Sequence, residues 1–372
     1  MENIRRCTRC VMDNRSDDTI TFDEYGHCNY CTDALKRMPY TYFPNEEGKK
    51  KLNALLAEMK EKGKGKKYDC IMGISGGLDS SYLAMLGYQW GLRILAVHID
   101  DGFDAPVAVD NIKKLCEKAH LDLQIIKPDA AQFNDLTKAY MRAGVADLAI
   151  PQDNVLFAFL YRFMKKYKIS YFLSGGNFSL ESILQKGNSY TALDVKNIKA
   201  IHKRFGTLPI NNLHFISDSQ KVLDRLLYNI KTIRPLDFID YNKKRAIEEL
   251  KNFCDFNYYE AKHLENTLTK VIQLYWFYHK FGVDKRTSHL SSLIISGQMN
   301  RDEAIEELNK PVYDEKLMEE DLTEVLSKLK LSRDEFDNLM ASLNHQHTDY
   351  PYSRHILFHF VRWCLAKAKI KL

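Results

Sequence analysis

The sequence predicts an α/β protein: a parallel sheet flanked by helices, with a small cysteine-rich module ahead of it and a helical region behind. Three observations carry the prediction. Between residues 70 and 173 short apolar runs alternate with stretches of helical period, the pattern of buried strands joined by crossover helices. Two C-x-x-C pairs stand within the first 31 residues. Beyond about residue 185 the strand signal fades and helical periodicity dominates. A chain of 372 residues has room for two or three domains, and the shifts in pattern place them at 1–45, 46–240 and 241–372.

The first module rests on Cys7-Thr8-Arg9-Cys10 and Cys28-Asn29-Tyr30-Cys31. Each C-x-x-C makes a tight knuckle that aims two thiolates at one tetrahedral ion, and the spacing between the pairs is that of a zinc ribbon. Thr19 to Phe22 suits a strand between the knuckles, followed by a turn at Glu24 to His27. Four thiolates close the metal shell, so a Zn²⁺ held by Cys7, Cys10, Cys28 and Cys31 is expected to be structural. His27 reads as a knuckle residue and not a ligand.

Composition narrows the class. With 45% hydrophobic and 28% charged residues the chain is an ordinary globular one, outside the disordered classes. The N-terminus lacks the apolar core of a secretory signal, and no run of uncharged apolar residues is long enough to span a bilayer. A cytoplasmic enzyme without membrane insertion is expected. The net charge of +5 is mild, and the lysine runs at 49–51, 64–67 and 367–371 read as solvated faces, so nucleic acid is not an expected partner.

Leu52, Leu55, Leu56 and Met59 share one face of a lead-in helix. The α/β unit then runs strand 70–74, helix 80–90, strand 94–99, helix 107–119 and strand 123–126, and resumes with an apolar helix at 154–167 before strand 169–173. Between the first strand and its helix lies Ser75-Gly76-Gly77-Leu78-Asp79-Ser80-Ser81. Two glycines let backbone N–H groups approach an anion, the helix start adds its free N–H groups, the serines donate hydroxyls, and Asp79 can hold Mg²⁺ between phosphate oxygens. Neither G-x-x-x-x-G-K-[ST] nor G-x-G-x-x-G occurs at this turn.

Ser75 to Ser80 resembles the Ser-Gly-Gly-x-Asp-Ser signature of the PP-loop ATP pyrophosphatases, which cleave ATP to AMP and pyrophosphate to activate a carbonyl oxygen. The resemblance implies a parallel Rossmann-like sheet with ligands at the strands' carboxyl ends, and it places adenine and ribose at His98, Ile99 and Asp100. A second glycine turn, Ser174-Gly175-Gly176-Asn177-Phe178-Ser179-Leu180-Glu181, stands where many of these enzymes carry Gly-His-x-x-Asp-Asp. Gly175, Gly176, Asn177 and Glu181 are therefore placed at the nucleotide, with Asn177 in the histidine's position and Glu181 supplying the acid.

Helices are expected at 267–281, 300–309, 318–330, 332–343 and 352–369, the last with Ile356, Phe360, Trp363 and Cys364 on one face. Two polar clusters, 258–265 and 282–292, each combine cations, an acid and a histidine. Pyrophosphate departure needs cations because charge builds on the leaving group, which makes Lys262, His263, Lys285 and Arg286 catalytic candidates beside Asp79. Cys70, Cys116, Cys254 and Cys364 read as core residues.

The paired knuckles, the signature, the Ser174–Asn177 turn and Asp284-Lys285-Arg286 with His289-Leu290-Ser291-Ser292 together are similar to the N-acetyl sugar amidotransferases of O-antigen, pseudaminic and legionaminic acid pathways. That resemblance implies conversion of a sugar's acetamido group to an acetamidino group. ATP adenylates the amide oxygen, and ammonia drawn from glutaminase and cyclase-like partners displaces AMP. The chain shows no C-G-x-C type glutaminase signature. The alternative is a PP-loop tRNA-modifying enzyme, a thiolase or an amidine-forming one; the sulfur chemistry of the thiolases usually needs catalytic cysteines.

Overall fold

The computed structural model describes residues 4–259 and 265–353. The five strands among them form one parallel sheet: β1 (Cys70–Gly73), β2 (Ile94–Ile99), β3 (Asp122–Ile126), β4 (Tyr171–Leu173) and β5 (Lys231–Ile233), in the order β3-β2-β1-β4-β5. Ile71 of β1 lies opposite Leu95 on one side and Phe172 on the other. The chain winds outward through β2 and β3 and then crosses β1 to add β4 and β5. This puts the switch in winding direction between β1 and β4, where open sheets of this kind leave a crevice.

Helices in chain order are α1 (Asn29–Thr41), α2 (Glu46–Gly63), α3 (Leu78–Gln89), α4 (Pro106–Lys118), α5 (Ala130–Arg142), α6 (Ile150–Tyr167), α7 (Phe178–Glu181), α8 (Val195–Phe205), α9 (Asp218–Tyr228), α10 (Lys243–Cys254), α11 (Thr267–Val271), α12 (Arg286–Ile295), α13 (Arg301–Asn309), α14 (Glu315–Leu329) and α15 (Arg333–Ala341). Strand residues alternate between two cores. Met72, Ala96 and Leu173 face α3, α4 and α10, whereas Ile71, Val97 and Phe172 face α6. A third core joins α5 and α8 to the C-terminal helices around Trp276, whose indole N–H donates to Val145 O at 3.1 Å.

Departures from the sequence reading have physical causes. The strand expected at Thr19 to Phe22 is reduced to single bridges, Arg6 to Asp13 and Phe22 to Cys28. Asp17 and Asp23 accept the backbone N–H groups of Thr19, Tyr25 and His27, so local turns take donors a ladder would need. The stretch 272–280 winds as a π-helix behind α11, with Ile272, Trp276, Phe277 and Lys280 buried. Its wider turn points Gln273 and Leu274 toward the cavity described below. The edge strand β5, three residues long, appears near the end of the expected α/β domain, where the strand signal had faded and no strand was expected. No helix among the described residues is long and apolar enough to cross a membrane. The helix expected at 352–369 lies outside the described residues.

Candidate active site: a phosphate cradle opening into a larger cavity

The turn 75–81 leaves the carboxyl end of the central strand β1 and enters α3. Most helices here begin with an Asn, Asp or Ser side chain bonded to the first turn, but α3 begins at Gly77 with no side-chain cap. Its first N–H groups are thereby left for a ligand, and an anion there also meets the positive end of the helix. Gly76 sits at φ +77°, and an added Cβ would come within 2.4 Å of Ala108 O. Only glycine gives the chain this bend at this distance from α4. Ser75 Oγ and Ser80 Oγ lie 3.3 Å apart, and Gly77 N–H donates to Ser75 Oγ at 3.2 Å, so the hydroxyls are gathered at the loop.

Asp79 is held from behind. The Tyr241 hydroxyl donates to Asp79 Oδ1, and burial with the nearby carboxylate keeps that phenol well above its ordinary pKa. Tyr241 therefore remains a donor, and it fixes the carboxylate that would meet a magnesium ion. Glu265 reaches the same loop: its Oε1 accepts from Ser75 Oγ at 3.1 Å and its Oε2 from the Tyr259 hydroxyl at 3.1 Å.

The second glycine turn closes the cradle. A Cβ on Gly175 would stand 3.2 Å from Ser80 N, so glycine lets the chain after β4 lie tightly against the start of α3. Asn177 is fully buried and caps α7, accepting from Leu180 N at 2.9 Å and donating to Gly175 O at 3.2 Å. Asp237 accepts the Phe178 N–H at 2.6 Å; burial raises its pKa to about 6. The resulting cavity of about 170 Å³ is lined by Ser75, Asp79, Ser80, Gly176, Glu181 and Lys243, among others. It adjoins a second cavity of about 700 Å³, and Leu180, Glu181, Lys243, Tyr258, Tyr259 and His289 line both.

The larger cavity is walled by Gln273 and Leu274 of the π-helix, Lys285 and Ser288 at the start of α12, and Tyr313 and Asp314 before α14. Lys285 lies over the Phe277 ring at 4.2 Å, and burial lowers its pKa. It lines this cavity and not the cradle. Arg286 also touches the cavity, but its guanidinium donates to both Asp284 oxygens and to the carbonyls of Glu307, Leu308 and Lys310. Its donors tie α12 to the end of α13. Lys262 and His263 lie outside the described residues.

His98, Ile99 and Asp100 line neither cavity. Both His98 ring nitrogens are engaged, with Ile74 O and Asp104 Oδ2, each at 2.8 Å. Burial opposes the imidazolium, yet Asp104 outweighs it and the pKa is raised. Lys127 beside Asp100 holds that carboxyl below its ordinary value. The residues that sequence reasoning missed are Tyr241 and Lys243; Tyr259, Glu265 and His289 lie in the two polar clusters but were given no role there. Lys243 is the cation shared by both cavities, with its ammonium 5.3 Å from the Tyr258 ring centroid. No local motif marks it.

The four knuckle cysteines are buried, and their sulfurs lie within 4.8 Å of one another. Cys7 and Cys31 Sγ are 3.8 Å apart, Cys10 and Cys28 Sγ 3.5 Å. Sulfurs about 2.3 Å from one tetrahedral ion stand about 3.8 Å apart, so the set fits a single metal ion. The N–H groups of Arg9, Cys10 and Cys28 point at Cys7 Sγ, the support a thiolate requires.

Residues 265–364 match the family model described as the C-terminal domain of LPS biosynthesis protein WbpG-like proteins. An uncharacterized protein of Methanocaldococcus jannaschii is 23% identical over 318 residues, covering 85% of this chain and 97% of its own. Among solved structures, the chain is similar to NMN synthetase from Francisella tularensis at TM-score 0.30 and 14% identity, covering 57% of this chain and 94% of that one. It is similar to the NH3-dependent NAD synthetase of Campylobacter jejuni at 0.29 and 16%, covering 56% and 93%. For the U34-tRNA thiolase of Methanococcus maripaludis, which carries a [4Fe-4S] cluster, the figures are 0.33 and 13%, covering 80% and 88%. None of these structures is near enough to carry an activity across. The WbpG-like match covers the region behind the parallel sheet that carries the signature turn.

Proposed function

We propose that this chain is an ATP-dependent amidotransferase that turns an acetamido group of a sugar into an acetamidino group, releasing AMP and pyrophosphate. The observation that carries the reading is that the two cavities adjoin and share six lining residues. A cradle for phosphates adjoins a larger space, formed in part by the WbpG-like segment, where an acceptor amide can meet the α-phosphate. The α3 N–H groups, Ser75 and Ser80 bind the polyphosphate, Asp79 positions Mg²⁺, and Lys243 offsets charge as pyrophosphate departs. Adenine and ribose lie beyond the cradle toward Ile99 and Asp100.

The acceptor's amide oxygen attacks the α-phosphorus and pyrophosphate leaves. Ammonia then adds to the activated carbon and AMP departs, which replaces a carbonyl oxygen by nitrogen at the expense of one ATP. The ammonia comes from a glutaminase and a cyclase-like partner. At the knuckle we propose one structural Zn²⁺; an iron–sulfur cube would need its cysteines farther apart than these four stand. Sulfur-transfer chemistry on tRNA is disfavoured by the remaining described cysteines, because Cys70, Cys116 and Cys254 are buried singly in the sheet-side core.

The testing experiment incubates the enzyme with MgATP, ammonium and a panel of acetamido sugars, free and nucleotide-linked. The reading expects AMP, pyrophosphate and a product lighter by the difference between O and NH. ADP and phosphate, or AMP formation indifferent to every acetamido sugar, would overturn it.

A further inference from the structure

The cysteine knuckle lies apart from both cavities, yet its contacts run straight to their walls. We propose that the metal-loaded knuckle is a positioning device. Through Arg301 and Ser291 it sets α12 against α7, and thereby sets the wall shared by the cradle and the larger cavity. The inference stands whether or not the acceptor is a sugar.

Arg301, the first residue of α13, reaches into the knuckle with a fork. Its Nη2 donates to Cys7 O at 2.9 Å and its Nε is 3.2 Å from Cys10 O and 3.3 Å from Cys7 O. These carbonyls belong to two of the cysteines whose sulfurs would hold the ion. On the other side, Val11 N–H, one residue past Cys10, donates to Ser291 Oγ at 3.1 Å. The neighbouring Ser292 Oγ accepts from Ile183 N at 3.0 Å, and Ser296 Oγ donates to Ser179 O at 2.9 Å. Ser291 and Ser292 are fully buried. Two serines of α12 and Ser296, which follows its last residue, thus hold the knuckle on one side and the α7 segment on the other.

The apolar packing follows the same route, since Cys7, Cys10, Cys28 and Cys31 share a single core with Phe178, Ile183 and Ile295. From these two elements come residues that face the ligand space: Leu180 and Glu181 from α7, Ser288 and His289 from α12, with Lys285 at its start. Four thiolates need a cation to stand this close, so metal loss must open the knuckle and release the carbonyls and N–H group that Arg301 and Ser291 hold. Coupling of this kind is reciprocal: whatever restrains α12 and α7 must also slow metal loss.

The test uses the full-length zinc-loaded protein and amide hydrogen exchange. Removing zinc with a strong chelator under reducing conditions is expected to raise exchange in 179–185 and 286–296 together with the knuckle, while α3 and β1 keep their protection. A rise confined to the knuckle overturns the proposal. Uniform loss of protection reports global unfolding of the metal-free protein, and the decision then rests on Arg301→Ala compared with wild type while both hold zinc. The variant should lose zinc to a chromogenic chelator about tenfold faster. It should also exchange faster over 286–296 with α3 unchanged, and Arg301→Lys should recover only part of the retention. Identical zinc-loss rates and identical exchange in wild type and Arg301→Ala contradict the proposal.

Discussion

The two ends of the site are built by different means. The core of the cradle is backbone and short polar side chains contiguous in the chain, held at the end of a central strand by a turn whose bend at Gly76 requires glycine. The larger cavity is made of long side chains drawn from α7, the start of α10, the π-helix, α12 and the loop before α14. Chemistry common to all ATP-cleaving reactions can be fixed by a local motif, because phosphate geometry is always the same. Recognition of a particular acceptor has to be assembled from distant segments, and here it is braced from outside by the metal knuckle.

Substitutions at the cradle should abolish every ATP-dependent step, whereas those in the cavity should spare nucleotide binding. Asp79→Asn is expected to lower AMP formation at least ~10²-fold with the circular dichroism spectrum unchanged, since it removes the metal-facing charge but not the Tyr241 contact. A variant that keeps even a tenth of wild-type activity would show that the carboxylate is dispensable. Gly76→Ala should destabilise the fold by about 1–3 kcal/mol through its positive φ and the clash with Ala108 O, read as a drop in melting temperature and loss of ATP binding.

Cavity variants sharpen the contrast. Lys285→Met should leave the dissociation constant of MgATP within about twofold of wild type while the acceptor's KM rises about tenfold, in line with loss of one charge-assisted contact. An equal loss of ATP affinity would place Lys285 with the cradle instead. The smallest effect concerns the His98–Asp104 pair that braces the strand end behind the signature. Its raised pKa means the contribution is fully present below the ordinary histidine value of 6.5 and is lost as pH rises through the higher folded value. The melting-temperature gap between wild type and His98→Asn should therefore shrink as pH is raised, by a few degrees at most for about 1 kcal/mol. A gap that widens with pH would contradict the assigned pairing.

Legibility in the sequence follows the same division. The signature turn, the knuckle, strands β1 to β4 and the helices that cover them were readable, because each is specified by residues close together in the chain. The strand β5 was not, as Lys231-Thr232-Ile233 is too short to show a period and forms only because β4 offers it an edge. Tyr241 and Lys243 reach the site through tertiary packing, and nothing around them in the chain distinguishes them from surface residues; Glu265 and His289 lie in the two polar clusters, but their places beside the signature turn are set only by the fold. Lys285 was singled out for pyrophosphate, and the fold sets it in the larger cavity. The resemblance placed His98 at adenine, and the fold gives both its ring nitrogens to protein partners.

The central claim is that phosphate cradle and acceptor cavity work as one site on an acetamido group. It is tested most directly by exchange of radiolabelled pyrophosphate into ATP, measured with and without acetamido sugars and without ammonia. The account predicts exchange that appears only when the right acceptor fills the cavity, because adenylation of the amide is reversible until ammonia arrives. Exchange at full rate with no acceptor, or ADP formation in place of exchange, would contradict it.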